Sequence, residues 1–132
     1  MTSVDTNVLV RILVGDEPKQ AAAARAVLTS GPIWIAKTVL LETGWVLRGT
    51  YGFGNDAVHD VLTALLGLEN VHSEDENCVI SALELMEQGI EFADAMHLCS
   101  TPPGVRFISF DRKFVRRVHR TGHGAHVELC GD

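Results

Sequence analysis

Thr2-Ser3-Val4-Asp5-Thr6-Asn7-Val8-Leu9 decides how this chain is read. A short β-like stretch over residues 3–5 ends in a carboxylate, and an apolar helical pattern follows over Asn7 to Val14. Strands that pass directly into helices build α/β sheets, where ligands lie at the carboxyl ends of the strands. The same grammar returns near the other end, where Val105-Arg106-Phe107-Ile108-Ser109-Phe110 runs into Asp111. Asp5 and Asp111 are therefore expected to cap strands of one sheet.

Between these ends the pattern alternates. Gly15-Asp16-Glu17 makes a turn, and Pro18 opens a helix to Leu28 at the position where a missing N–H costs nothing. Gly31-Pro32 stops it. Ile33-Trp34-Ile35 reads as a second strand, followed by a helix from Lys37 to Arg48 with Leu40, Leu41, Trp45 and Val46 at helical spacing. Gly49, Gly52 and Gly54 break the chain before a helix over Asn55 to Leu68 and a short strand at Val71-His72. Ser73 and Glu76 match a capping box at the start of a helix running to Gln88 and ended by Gly89. A helix from Glu91 to Ser100 precedes the turn Thr101-Pro102-Pro103-Gly104. Strand Arg106 to Ser109, helix Arg112 to His119 and strand His126 to Leu129 complete the series. Strand after helix after strand predicts an α/β fold with a parallel sheet covered on both faces.

Two further acids, Glu42 and Asp94, interrupt apolar helical patterns at Val39-Leu40-Leu41-Glu42 and Phe92-Ala93-Asp94-Ala95-Met96. An unpaired carboxylate on a packing face costs several kcal/mol, so each needs a reason. Asp5 could simply N-cap the following helix, Asp94 could pair with an arginine, and Asp111 could cap the helix that starts at Arg112. Taken together the four suggest another chemistry. Carboxylates ~6 Å apart repel by roughly 3 kcal/mol per pair at an effective dielectric near 20, and a divalent cation removes that penalty. Oxygen ligands favour Mg²⁺ or Mn²⁺ over zinc, and such an ion acidifies water and polarises a phosphoryl oxygen. Phosphodiester hydrolysis is the reaction these residues would support.

Composition sets the limits. The chain has 132 residues, of which 46% are hydrophobic and 21% charged, which fits one globular domain spanning 1–132. No apolar run is long enough for a membrane span, and Asp5, Arg11 and Asp16 interrupt any signal-peptide core, so a cytoplasmic location is expected. Cys78, Cys99 and Cys130 are odd in number and widely spaced, which predicts reduced, packed thiols. The formal charge of −6 argues against binding nucleic acid by bulk attraction, but an acidic metal pocket would contribute several of those charges, so net charge decides little.

Val4-Asp5-Thr6-Asn7-Val8-Leu9, Leu41-Glu42, Phe92-Ala93-Asp94-Ala95 and Ser109-Phe110-Asp111, in that order, resemble the motifs of the PIN-domain ribonucleases, in particular the VapC-type toxins of bacterial toxin–antitoxin pairs. The resemblance implies a three-layer α/β/α sandwich with a five-stranded parallel sheet. It implies that Asp5, Glu42, Asp94 and Asp111 hold one or two Mg²⁺ or Mn²⁺ ions, with Ser109 supporting water at the metal and Thr6 and Asn7 behind the acids. An endoribonuclease, a homodimer and a cognate antitoxin that restrains it are implied likewise.

Arg112, Lys113, Arg116, Arg117, His119 and Arg120 follow Asp111 closely. Arg112 and Lys113 are the expected phosphate contacts, while Arg117 and Arg120 suit a solvated helix end. His119, His123 and His126 lack the fourth ligand that zinc needs, and His97 is expected to be a packed histidine. Trp34, Trp45, Tyr51 and Phe53 are expected in the core or an interface. A receiver domain would need an acidic pair after the first strand, and a haloacid-dehalogenase-type phosphatase a second Asp where Asn7 stands. The remaining alternative is a PIN-like module that binds RNA or protein without cutting.

Overall fold

The computed structural model describes residues 1–131. Its elements run β1 (Thr2–Ser3), α1 (Thr6–Val14), α2 (Pro18–Leu28), β2 (Ile33–Ile35), α3 (Lys37–Gly49), α4 (Asn55–Leu66) and β3 (Val71–Ser73). They continue with α5 (Glu76–Glu87), α6 (Phe92–Cys99), β4 (Phe107–Ser109), α7 (Arg112–Arg120) and β5 (Val127–Leu129). The alternation of short strands and helices is the expected α/β pattern.

Every strand pair among the described residues is parallel. β2 lies between β1 and β3, with Thr2 opposite Ile33 and Ile35 opposite Ser73. β4 pairs with β5, Phe107 opposite Val127 and Ser109 opposite Leu129. The ladder is thus divided into three strands and two, rather than running through five as expected. The cause is local. β1 ends at Ser3, because Val4 and Asp5 already turn the chain into α1, and a two-residue strand has few backbone groups left for a second neighbour.

The capping box expected at Ser73 and Glu76 does not form. Ser73 is held in β3 opposite Ile35 and is buried, so α5 begins one step later from Asp75, in a left-handed conformation (φ 52°) and without a side-chain cap. Glu76 instead pairs with His72 at 3.5 Å. The helix opened by Pro18 starts at that residue, and α1 ends on Gly15 at φ 70°, a left-handed cap that glycine adopts without Cβ strain.

One apolar cluster joins the elements. It includes Leu9 of α1, Ile33 and Ile35 of β2, Leu40 and Leu47 of α3, Met86 of α5, Phe92 and Met96 of α6, and Val118 of α7. Helix α3 meets α1 on one side and α6 on another. The approach to α6 is close: a Cβ on Gly44 would lie 2.6 Å from Phe92 Cδ2. Glycine at 44 is what lets these two helices, which carry Glu42 and Asp94, pack together. No helix among the described residues is long and apolar enough to cross a membrane.

Candidate active site

Asp5 stands at the junction of β1 and α1, where its side chain accepts from the Val8 N–H at 3.1 Å as the N-cap of α1. The next residue, Thr6, is buried and donates its hydroxyl proton to Glu42 Oε1. This bond ties the first helix to the third and holds a carboxylate from residue 42 beside the Asp5 junction. Glu42 itself is exposed, contrary to the buried face expected for it. The inward face of α3 is Leu40, Thr43, Gly44 and Leu47, so Glu42 and Trp45 share the outward side. Trp45, expected in the core or an interface, is 70% exposed.

Asp94 occupies the first turn of α6 and is half-buried. Burial pushes its carboxyl pKa up, and the negative charges of Glu91 and Asp111 push it in the same direction, against an opposing effect of His97. Asp94 and Asp111, 17 residues apart in sequence, are therefore in the same electrostatic field. His97, expected to be packed, is exposed.

Asp111 N-caps α7, accepting from the Phe114 N–H at 3.0 Å through Oδ1. Its own N–H donates to Ser109 Oγ at 3.0 Å, so the serine at the end of β4 shapes the turn that presents Asp111. Arg112 and Lys113 are exposed in the first turn of α7. Both helix-capping readings made for Asp5 and Asp111 are thus realised, each using one carboxylate oxygen.

The arrangement has two halves. Asp5 and Glu42 are linked through Thr6, and Asp94 and Asp111 are linked by field. Among the described residues no group of three or more His, Cys, Asp and Glu side chains is close enough to hold a metal ion, so the four acids do not form one ready-made ligand set. The donor chemistry nonetheless fits a hard cation, because these are oxygen ligands and Asp94 lies in negative potential that a positive ion would relieve. His119, His123 and His126 likewise form no such group.

The sequence profile of the PIN domain matches residues 3–119. The chain belongs to the PIN domain family. A search of curated proteins found no match. PIN domains are generally nucleases, so a hydrolase acting on nucleic acid is the general class of this PIN domain. The matched segment contains Asp5, Glu42, Asp94 and Asp111.

Some features of this PIN domain were not legible beforehand. Phe110, between Ser109 and Asp111, is 83% exposed. The signal was its place one residue past the inward-facing end of a strand, where alternation turns the side chain outward. Glu91, whose charge raises the Asp94 pKa, lies one helical turn earlier. Tyr51 is partly exposed, and its hydroxyl donates to Asp16 at 2.9 Å and accepts from Arg11.

Proposed function

We propose that the chain is a Mg²⁺- or Mn²⁺-dependent endoribonuclease, with Asp5, Glu42, Asp94 and Asp111 as the residues that hold the ion. The observation that carries this reading is the Thr6 bond that holds Glu42 beside the Asp5 junction, inside a segment that is matched to a nuclease family and also contains Asp94 and Asp111. When bound, the ion would acidify an attacking water and stabilise charge on the phosphoryl oxygens. The protein's own residues supply the rest. Thr6 orients Glu42, and Ser109 fixes the backbone turn of Asp111 while its hydroxyl proton remains available to water. Arg112 and Lys113 sit where the helix dipole disfavours cations, a placement that a bound phosphate makes favourable.

The same reading makes the protein a cytoplasmic, single-domain toxin of a type II toxin–antitoxin pair. It works as a homodimer and is restrained by a cognate antitoxin. Metal-free protein should leave RNA intact, and Mg²⁺ or Mn²⁺ should restore cutting in the wild type but not in Asp5→Asn or Asp94→Asn. Cleavage that persists in both variants and in excess chelator refutes the assignment. RNA binding without cleavage at any metal concentration would instead make the protein a non-cutting module.

A further inference from the structure

Two of the cations around α7 serve the fold. Arg106 pairs with Glu128 at 2.8 Å, and Arg117 donates to the Gly89 carbonyl at 3.0 Å, so both hold the fold together. Arg112, Arg116 and His119 line one groove with Val127, Glu128 and Leu129 of β5, a surface cavity of about 480 Å³. Steps of four and three residues place these three cationic or ionisable side chains along a single helical face. The acid in the groove, Glu128, is engaged by Arg106. A positive groove on a chain of net charge −6 points to an anionic occupant.

We propose that the α7–β5 groove is a track for RNA phosphates, with Arg116 and His119 holding nucleotides beyond the bond cut at the acidic centre. The identity of the strand rests on the RNA-cleaving reading given above. Continuity supports it: α7 begins at Asp111, and Arg112 belongs both to the turn beside that acid and to the wall of the groove. From Arg112 to Arg116 the helix advances about 6 Å, comparable to the step between phosphates in an extended strand.

The competing anion is an acidic peptide that adds to β5 as a further strand. The backbone disfavours it. The His126 carbonyl accepts from Phe107 of β4, so the Val127 carbonyl faces the outer edge, and there it already accepts from His119 Nε2 at 2.7 Å. An added strand would need that carbonyl for its ladder, whereas phosphates need only the cationic side chains.

The test is anisotropy of a fluorescein-labelled oligouridylate bound to the full chain in an Asp5→Asn background, followed across a salt series. Arg116→Ala should weaken binding about fivefold and reduce the log–log salt slope by about 0.7, the loss of one phosphate contact on a single strand. His119→Ala should weaken it less, and Arg116→Lys should restore most of the slope. Arg25→Ala on α2 removes the same charge elsewhere and serves as the control, with melting temperatures confirming that every variant is folded. A slope unchanged by Arg116→Ala and His119→Ala overturns the track, as does an oligoglutamate peptide that depends on Arg116 when RNA does not. If the slope responds to Arg116 but the wild type never cuts RNA, the track stands and the cleavage reading fails. If cleavage occurs with a slope insensitive to Arg116, the track fails and cleavage stands.

Discussion

At the scale of single residues, Asp94 is the site acid whose energetics depart from its ordinary behaviour. Its pKa is raised by burial and by the Glu91 and Asp111 charges, so the folded chain gives up this proton less readily than the unfolded one. The sign follows. Above the ordinary value of 3.8 an unfolded chain ionises freely, while the folded chain resists until its higher pKa is passed, and stability falls as pH rises across that interval. Asp94→Asn should therefore raise the melting temperature by about 1–3 °C while abolishing cleavage, a separation that thermal unfolding and an RNA assay will reveal. Thr6 is a positioning residue for Glu42. Thr6→Val keeps the buried volume but removes the donated proton, and should lower kcat about tenfold with little change in KM; Thr6→Ser should recover activity.

At the scale of elements, Asp5 and Asp111 N-cap α1 and α7, so each has a structural duty that can be separated from a chemical one. Asp111 caps α7 through the Phe114 N–H. Asp111→Asn can still accept that bond and should retain the wild-type urea midpoint, whereas Asp111→Ala should lose about 1 kcal/mol; both should lose cleavage. Equal activity in Asp111→Asn and wild type would reduce the residue to a cap. The α3–α6 contact gives a second prediction. In Gly44→Ala the new Cβ meets the Phe92 ring at 2.6 Å, which should cost about 1–3 kcal/mol in urea unfolding and weaken cleavage by separating the helices that carry Glu42 and Asp94.

At the scale of the whole molecule, a cation that joins the two pairs of acids would bind the folded chain and not the unfolded one. Mg²⁺ or Mn²⁺ at ~100 times its Kd should then stabilise the wild type by about 2.7 kcal/mol, visible as a rise in melting temperature that Asp94→Asn lacks. Local sequence was enough for the order of strands and helices, because apolar periodicity, Pro18 and the glycine breaks act within a few residues. It also carried the four acids and the family motifs, with Asp5 and Asp111 at element boundaries. It misplaced Glu42, since Leu41, Trp45 and Val46 blur the helical stripe and only packing against α1 and α6 selects Leu40, Thr43, Gly44 and Leu47 as the inward face. The Ser73 cap failed because a long-range ladder to Ile35 outweighed a local side-chain bond. The sequence by itself therefore determined which elements form and which chemical groups stand at their ends. Tertiary structure alone decided that Thr6 reaches Glu42, that Asp94 feels Asp111, and that Arg117 turns to Gly89 while Arg116 lines a groove. Each of these depends on contacts between segments far apart in the chain, where no local periodicity carries information.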